Sequence, residues 1–147
     1  FPLDPSKWTQ EFTDSGTQRT ESSPTANVWY NLNSNALTIP VGMWNVSYQV
    51  AFAGYRASAT AIDVNVTLST ANNTQSNINY TCSATNYNGG TSTSPLIVTT
   101  ANRSFTLSLT TKTVYYLNIQ TPVPTSNYLA IVSNRSTTII RATCAYL

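Results

Sequence analysis

Side chains that could transfer protons or activate a nucleophile are scarce in this 147-residue chain. It contains no histidine and only five acidic residues, which are Asp4, Glu11, Asp14, Glu21 and Asp63. Most enzymes use histidine, aspartate or glutamate as general bases, as activators of nucleophiles or as ligands of hard metals. Because Asp63 is the one acid beyond residue 21, the composition predicts a protein that is not an enzyme.

The shortage of acidic residues and histidine also argues against the common kinds of catalytic and metal site. Serine hydrolysis lacks its base, and a glycosidase needs two carboxylates at a fixed separation, of which the body of the chain offers one. Zinc needs histidine or clustered cysteine, and a hard cation needs several carboxylates. We therefore expect no catalytic, metal or cofactor-binding site.

The chain carries few charges of any kind. Charged residues make up 8% of the sequence, against about 25% in ordinary soluble proteins, and serine, threonine and asparagine supply much of the remainder. A surface of neutral hydrogen-bonding groups suits adhesins, secreted β domains and virion proteins, and it suits neutral sugars as ligands. The net charge is +2 and the basic residues are scattered, so we expect no nucleic-acid partner. No stretch is long and apolar enough for a membrane span.

The redox state of the two cysteines is open at this point. Cys82 and Cys144 could form one disulfide if the protein matures in an oxidising compartment. Two buried free thiols fit the sequence equally well.

Hydrophobic periodicity indicates an all-β fold. Residues 44–52 alternate between apolar and polar side chains, as expected of a long strand with one buried face, and residues 60–70 repeat the pattern. About nine or ten short strands separated by turn signals are typical of a β-sandwich or barrel. The further strands are predicted at residues 28–32, 78–84, 95–100, 104–110, 113–120, 127–133 and 137–146.

The first 25 residues differ from the rest, since they hold four of the five acids. We interpret residues 1–25 as a connector, with one or two helical turns starting at Asp4 and an extended loop over residues 14–25. Residues 26–147 are expected to form a single β domain. The chain starts at Phe1 rather than at Met, which we interpret as an excised domain or a processed product.

Two connections have distinct turn signals. Residues 109–114 predict a tight hairpin, and residues 84–94 predict an exposed, adaptable loop rich in Asn and Gly. Most tyrosines and tryptophans occur at strand spacing and are expected in the core or at a subunit interface. Tyr55, Tyr87 and Asn88 lie in or near loops, and we predict that they make surface contacts, for example with a neutral glycan.

Arg141 is unusual because it lies between Ile140 and Ala142 in a strand that otherwise reads apolar. A buried guanidinium needs a carboxylate, several carbonyls or a bound anion. Alternation along the strand favours an outward-facing position at the rim of the sheet. The alternatives are an ion pair with Asp63, a charge at a subunit interface, or an anion site. The final strand itself is expected to be a central or interface strand, because a frayed apolar edge would invite aggregation.

Two stretches resemble known families. The segment ALTIPVGMWNVSYQVAF, residues 36–52, resembles the proline- and glycine-entered strand of trimeric jelly rolls of the tumour-necrosis-factor and complement-globular-head kind. The terminal STTIIRATCAYL, residues 136–147, is similar to the ending of distal domains of tail fibres and tail needles from phages of enterobacteria. Together they resemble the C-terminal knob of podovirus tail needles of the Shigella-phage kind.

The resemblance implies a jelly-roll β-sandwich of about 8–10 antiparallel strands that forms the trimeric head of a coiled-coil shaft. Residues 1–25 would then connect the head to that upstream shaft. The implied role is at the virion tail tip, where the protein plugs the tail and meets the host outer membrane, or its lipopolysaccharide, before genome ejection. Assembly in the bacterial cytoplasm would keep both cysteines reduced.

A trimer would also bury strands that are apolar on both faces. Residues 113–120 and 137–147 have that character, and we predict that they line the threefold axis. Tyr116, Ile139, Arg141 and Asp63 are accordingly candidates for the trimer interface or for an anion site. Two alternatives stay open, a monomeric carbohydrate-binding module or lectin and a bacterial adhesin or pilus subunit. A pilus subunit would have an incomplete sandwich awaiting a donor strand, and its cysteine pair would lie earlier in the chain than Cys144.

Overall fold

A computed structural model describes residues 4, 7–56, 61–87, 97–123 and 126–146. This part of the chain contains ten strands and one 3-10 turn, Ile78–Tyr80. None of its helical segments is long and apolar enough to cross a membrane. The strands are β1 (Thr9–Asp14), β2 (Gln18–Ser22), β3 (Ala36–Ile39), β4 (Gly42–Tyr55), β5 (Ala61–Ser69), β6 (Thr81–Tyr87), β7 (Thr99–Leu109), β8 (Thr113–Gln120), β9 (Tyr128–Val132) and β10 (Thr138–Cys144).

The strands form two antiparallel sheets with the connectivity of a jelly roll. One sheet has the order β1-β10-β4-β9-β2, with β7 along the other edge of β4, and the second has the order β3-β8-β5-β6. The chain crosses between the sheets after β2, β3, β4, β6, β7 and β8, so that β1-β10-β4-β7 lies against β3-β8-β5-β6. This order is that of an eight-stranded jelly roll, to which β2 and β9 add an extension. The predicted all-β jelly-roll sandwich is confirmed.

The 14-residue strand β4 organises the first sheet. It begins at Gly42, whose φ of +132° suits glycine. Along one edge β4 pairs with β7 from Gly42 to Phe52. Along its other edge it pairs first with β10, where Gln49 lies opposite Ile139, and then with β9, where Phe52 lies opposite Ile131.

β9 and β10 follow one another along the same edge of β4 and are separated by a short loop. Between their pairings β4 advances three residues, from 49 to 52, whereas the partner chain advances eight, from 131 to 139. Five residues, 133–137, therefore leave the sheet, and the Arg135 amide closes this loop on the Val132 carbonyl at 3.0 Å. The final strand β10 lies between β1 and β4, so its predicted central position is confirmed.

The core lies between the inner faces of the two sheets. β4 and β5 alternate as predicted and turn one face inward, with relative exposures of 0–5% for the residues concerned. Each fully buried Val, Leu, Ile or Phe stabilises the fold by about 1.5–3 kcal/mol. The inward residues of these two strands are Trp44, Val46, Tyr48, Val50, Phe52, Ile62, Val64, Val66 and Leu68.

Tyr48 joins the two sheets through its hydroxyl. This side chain is 2% exposed, and its hydroxyl lies 2.9 Å from the Val66 carbonyl of β5 and 3.0 Å from the Tyr80 carbonyl. Burial, with a smaller contribution from Cys82, raises the pKa of Tyr48 far above its ordinary value. The hydroxyl is therefore a neutral, satisfied hydrogen-bonding group in the middle of the core.

The amino-terminal segment differs from the predicted connector of helix and loop. Residues 9–14 and 18–22 are strands β1 and β2, which pair with β10 and β9. Phe12 therefore lies in strand β1, and Trp8 lies in the turn before it, where its carbonyl accepts a hydrogen bond from the Cys144 amide at 2.8 Å. The helical turns predicted beyond residue 8 and the loop predicted across residues 18–22 were wrong, because pairing with the apolar strands β9 and β10 overrides local propensity.

Two of the amino-terminal acids take part in this pairing. Asp14 is buried, accepts a hydrogen bond from the Gly16 amide at 3.2 Å and lies 3.8 Å from Arg19. Glu11 pairs with Arg141 on the neighbouring strand. Their charges are thus explained by contacts within the sheet. That residues 1–25 connect the domain to an upstream shaft stays a prediction.

Three further local predictions were wrong. The 109–114 hairpin does not form, because β7 pairs with β4 whereas β8 pairs with β3 and β5 in the other sheet. The strands predicted at 95–100 and 104–110 are not separate, since β7 runs unbroken from 99 to 109; residues 95 and 96 lie outside the described residues. Residues 28–32 contribute an isolated bridge between Tyr30 and Ile119 instead of a strand.

Part of the apolar set on which the threefold-axis prediction rested lies inside the chain's own core. Tyr115, Leu117 and Ile119 of β8 point between the sheets, as do Ile140 and Ala142 of β10. Their burial therefore needs no second copy of the chain, and their predicted place at a threefold axis was wrong. For the other apolar residues of the two strands that place stays a prediction, as does the trimer itself.

Candidate functional site

The outer side of the strands β1, β10, β4 and β7 forms a surface of mostly uncharged polar side chains, which we call the polar face. It is built from alternate residues of each strand, since successive side chains of a strand point to opposite sides of the sheet. The polar face comprises Glu11 of β1, Ile139, Arg141 and Thr143 of β10, Asn45, Ser47 and Gln49 of β4, and Asn102, Ser104 and Thr106 of β7.

The strand register orders these side chains into three rows. In the central row Arg141 lies opposite Ser47, which in turn lies opposite Ser104. In the row on one side Thr143, Asn45 and Thr106 are aligned in the same way, and in the row on the other side Ile139, Gln49 and Asn102 are. Neighbouring strands are about 4.8 Å apart and neighbouring rows about 6.7 Å. The polar face is therefore a regular grid of hydroxyl and amide groups.

Two shallow depressions lie side by side on this grid. One has a volume of about 260 Å³ and is bordered by the central row together with Gln49, Asn102 and Ile139. The other has a volume of about 490 Å³ and is bordered by Asn45, Thr106 and Thr143. Both depressions share Ser47 and Ser104, so the central row forms the boundary between them.

Hydrogen bonds hold part of the grid in place. The Thr106 hydroxyl donates to the Asn45 amide oxygen at 3.3 Å, and the Gln49 amide donates to the Ser136 hydroxyl at 3.4 Å. At the edge of the sheet the Arg103 Nε donates to the Asn79 carbonyl at 3.2 Å, and Arg103 also lines the first depression. Most of the hydroxyls and amides of the face are therefore positioned by a rigid sheet.

Arg141 lies on the polar face with its side chain 52% exposed, and its Nε donates to the Glu11 carboxylate. Asp63 lies on the other sheet, where its carboxylate accepts a hydrogen bond from the Thr85 hydroxyl at 2.7 Å. The predicted pair between Arg141 and Asp63 was wrong. The sequence did not indicate Glu11 as the partner, because that residue was assigned to a connector rather than to a strand beside β10.

The other predicted interface residues do not converge on one place. Ile139 is half-buried on the polar face, whereas Tyr116 is half-buried on the outer side of β8, opposite Ala36 and Ser69. A single contact made by Tyr116, Ile139, Arg141 and Asp63 would have to span both sheets. Their role at a trimer interface or an anion site stays a prediction.

The tyrosines predicted to make surface contacts have different environments. Tyr87 is 55% exposed at the end of β6, in keeping with that prediction. Tyr55 is 7% exposed and stacks on Tyr128 with 5.7 Å between the ring centroids, so its predicted exposure was wrong. Asn88 and most of the predicted 84–94 loop lie outside the described residues, and residues 84–87 of it belong to β6.

The described residues include no cluster of side chains suited to acid–base chemistry. They contain no group of three His, Cys, Asp or Glu side chains that could hold a metal ion. The resolved pKa shifts there belong to tyrosines: burial raises the pKa of Tyr115, with a smaller contribution from Tyr80, and burial raises that of Tyr128, with a smaller contribution from Tyr55. Cys82 and Cys144 are free thiols.

The polar face itself was missed by reasoning from sequence. Its residues come from four strands that are distant along the chain, and each looked like the solvent side of an ordinary half-buried strand. The sequence did contain a signal for the polar face, which is the near absence of charge at the outward-facing positions of three runs. These runs are residues 44–50, 101–107 and 138–144. Only the register shows that these three runs are neighbours.

No family model matches the sequence, and no curated protein matches it. Similar solved structures include Eiger TNF from S. frugiperda, at 10% identity and a TM-score of 0.48, with 94% of this chain and 92% of that chain covered. The globular domain of zebrafish complement 1qA is similar at 10% identity and a TM-score of 0.41, with 95% and 98% covered. The jelly-roll assignment rests on the strand order and register of the two sheets.

Proposed function

We propose that this protein is a non-enzymatic distal domain of a virion tail: the homotrimeric knob of a phage tail needle or tail fibre. In this role it plugs the tail, contacts the host cell envelope and takes part in genome ejection. The proposal includes assembly in the host bacterial cytoplasm, with reduced cysteines, and a contact with the outer membrane or its lipopolysaccharide. No cofactor is required.

One observation carries the proposal. The two stretches that resemble trimeric jelly rolls and phage tail tips, residues 36–52 and 136–147, are far apart in the sequence. In the fold the first stretch contains β3 and most of β4, and the second contains β10, which pairs with β4 from Trp44 with Cys144 to Gln49 with Ile139. Two independent resemblances thus meet in one structural unit at the centre of a jelly-roll sheet, which supports a single family origin for both.

The composition supports the same role. A tail tip must stay folded and soluble outside the cell, and it needs no titrating groups to do so. The few charges that the fold uses are paired locally, as Arg141 is with Glu11 and Arg19 with Asp14. A surface of hydroxyls and amides is little affected by salt or by pH near neutrality.

The first test is the oligomeric state. Light scattering on the purified chain should give three times the 16.0 kDa mass of one copy, independent of dilution through the micromolar range. A stable monomer would contradict the homotrimeric knob. The second test is location: antibodies raised against this chain, detected with gold particles on virions of the phage that encodes it, should label the distal end of the tail. Label absent from virions would contradict the virion assignment.

The polar face favours a second candidate, a monomeric carbohydrate-binding module or lectin. A grid of neutral hydrogen-bonding groups would serve such a protein without any oligomer. The same mass measurement separates the two candidates, since this second one expects a single copy. A pilus subunit fits the fold less well, because β10 is paired along both edges and leaves no open edge beside it for a donor strand.

A further inference from the structure

We propose that the outer side of β5 and β6 binds an uncharged sugar, which packs on Tyr87 and donates hydrogen bonds to Asp63. This surface belongs to the second sheet, whereas the polar face belongs to the first. The ligand class follows from the chemistry of the surface, and its use at a host envelope rests on the proposed function. We call it the Tyr87 patch, and it comprises Ala61, Asp63 and Asn65 of β5 and Ser83, Thr85 and Tyr87 of β6.

The strand register brings the aromatic ring and the carboxylate of the patch close together. The alternate residues of β5 point into the core, so Ala61 and Asp63 face outward. On β6 they lie opposite Tyr87 and Thr85, respectively. Tyr87 and Asp63 are therefore diagonal neighbours on one surface, with Cβ atoms about 7 Å apart. At that separation one sugar residue can contact both side chains.

Tyr87 provides an exposed aromatic ring. The residue is 55% exposed, and the ring contacts among the described residues are made by other aromatic side chains. Ala61, which lies opposite, has only a methyl group and so leaves the side of the ring open. A tyrosine presents a large apolar surface at a low cost in conformational entropy. The C–H side of a pyranose ring can pack on that surface.

A buried asparagine fixes the end of β6 that carries this ring. Asn86 is 0% exposed, and its amide nitrogen donates to the Ile97 carbonyl at 3.1 Å and to the Thr99 hydroxyl at 3.0 Å. Its amide oxygen accepts from the Gly54 amide of β4 at 3.3 Å. These bonds hold the backbone beside Tyr87 against the other sheet. Because the ring is already positioned, binding would cost the protein little conformational freedom.

Asp63 supplies the polar half of the patch. Its Oδ1 accepts a hydrogen bond from the Thr85 hydroxyl at 2.7 Å, which orients the exposed carboxylate. Among the described residues Asp63 forms no ion pair, so the carboxylate can accept further hydrogen bonds. Adjacent hydroxyls of a sugar can donate to a carboxylate, and such charge-assisted bonds are stronger than neutral ones. The Ser83 hydroxyl donates to the Asn65 amide oxygen, so the Asn65 nitrogen can donate to the same ligand.

The charge of the patch selects among ligand classes. Asp63 is the only charged side chain of its six residues, and it would repel an anion. A hard metal ion needs several carboxylates. A protein surface that covered the patch would have to bury this carboxylate, which is costly unless the surface brings a cation. The hydroxyls of an uncharged sugar instead replace the water around the carboxylate.

The affinity of one patch is expected to be low. It offers one aromatic ring and a few hydrogen bonds, and each bond is exchanged against a bond to water. Several copies held in one head would raise the apparent affinity for a repeating polysaccharide without any new contact.

The test is NMR shift mapping on the ¹⁵N-labelled protein with two panels of oligosaccharides. The neutral panel contains hexose, 6-deoxyhexose and N-acetylhexosamine oligomers, and the charged panel contains sulfated and uronate oligomers. We expect saturable binding of at least one neutral oligomer, with the largest shifts at Ala61, Asp63, Thr85 and Tyr87. Binding of no neutral oligomer, or shifts confined to another surface such as the polar face, would overturn the inference.

Three variants and a control test the roles of the two side chains. Tyr87→Ala should weaken binding at least tenfold, whereas Tyr87→Phe keeps the ring and should stay within threefold of the parent protein. Asp63→Asn removes the charge from the acceptor and should weaken binding about tenfold. Tyr146→Ala removes another exposed tyrosine, which is 67% exposed and follows β10 of the first sheet, and should leave binding unchanged. Thermal melts establish that each variant is folded. Equal losses in Tyr87→Ala and Tyr146→Ala would contradict the assigned position.

Other outcomes identify a different occupant. If the charged panel binds at the patch and the neutral panel does not, the patch is an anion site and the inference fails. If Tyr87→Ala lowers the mass in light scattering, a second copy of the chain covers the patch and the inference fails as well. A trimer that binds no sugar would overturn this inference alone, whereas a monomer that binds a sugar through the Tyr87 patch would overturn the tail-knob proposal alone.

Discussion

On the outer side of the sheet the two halves of β4 present contrasting surfaces, one polar and exposed and one apolar and buried, although they belong to one continuous strand. In the first half the outward side chains are Asn45, Ser47 and Gln49, which belong to the polar face. In the second half they are Ala51, Ala53 and Tyr55, all at most 7% exposed. The first half pairs with β10 and the second with β9, on either side of the excursion at residues 133–137.

The second half belongs to a small apolar cluster on the outside of the sheet. Ala53 lies opposite Ala130, and Tyr55 lies opposite Tyr128 and stacks on it. Val98 packs against this cluster from beyond the sheet. A jelly roll can therefore have one sheet whose outer side is open along one stretch and sealed along the next. The side chains on that outer side, not the strand pairing, make the difference.

The largest effect is expected from a charge in the sealed half. Ala53→Asp should lower the free energy of unfolding by about 3 kcal/mol or more, because it places a carboxylate at a fully buried position without a partner. Ser47→Asp, on the same side of the same strand, should change it by less than about 0.5 kcal/mol. Urea denaturation of both variants measures the difference. Equal costs would remove the contrast between the halves.

A smaller loss is expected when the hydroxyl of Tyr48 is removed. Tyr48→Phe should lower the free energy of unfolding by about 1–2 kcal/mol, since it breaks the link to the Val66 and Tyr80 carbonyls and leaves them less well satisfied. Denaturant titration at neutral pH measures this loss. A neutral effect would show that the inner side of β4 depends on packing alone.

Alkaline pH should act through the same residue. The raised pKa of Tyr48 means that the folded state holds its proton more tightly than the unfolded chain does. The stabilising contribution is complete below the unfolded tyrosine pKa of about 10 and declines as pH rises above it. Stability should therefore change little between about pH 5 and 8 and fall beyond about pH 10. Tyr48→Phe should flatten that fall, and an unaltered alkaline limb in the variant would contradict this origin.

The ion pair on the polar face should matter less. Arg141→Ala should cost at most about 1 kcal/mol, because both side chains are partly exposed and water screens the pair. The loss should shrink in high salt. Thermal melts at low and high salt provide the measurement. A loss as large as that of Ala53→Asp would mean that this surface is buried in the assembled protein.

The smallest effect is expected at Tyr128, where the hydroxyl is buried and has no hydrogen-bond partner among the described residues. Tyr128→Phe should leave the free energy of unfolding unchanged or raise it by up to about 1 kcal/mol, since an unsatisfied polar group is removed. The comparison with Tyr48→Phe is direct, because both changes delete one buried hydroxyl. A loss at Tyr128 equal to that at Tyr48 would reveal a partner in the assembled protein.

The strands of the core could be predicted because their signal is local. The period of two in residues 44–52 and 60–70 placed β4 and β5, and the same reasoning placed the inward residues of both. The resemblance of residues 36–52 to trimeric jelly rolls also indicated the fold class. The predictions for β1 and β2 failed, because their sequences carry acids and turn-forming residues and become strands only beside β10 and β9.

The candidate site could not be predicted in the same way. The partner of Arg141 was sought at Asp63, the nearest acid in the body of the chain, and was found at Glu11, 130 residues away. Tyr55 looked like a loop residue because the end of β4 carries no sequence signal, and it is buried by its stack on Tyr128. Both errors concern contacts between strands that the chain brings together from far apart.

The sequence by itself determined that this protein has few groups for acid–base chemistry and that its strands alternate around a β core. Composition and periodicity are local properties, and they survive in any arrangement of the strands. Only the tertiary structure decided which outward side chains meet, which of them are covered and which remain open as the polar face. The reason is that a sheet joins strands by register, so a surface such as the row of Arg141, Ser47 and Ser104 exists only once β10, β4 and β7 are paired.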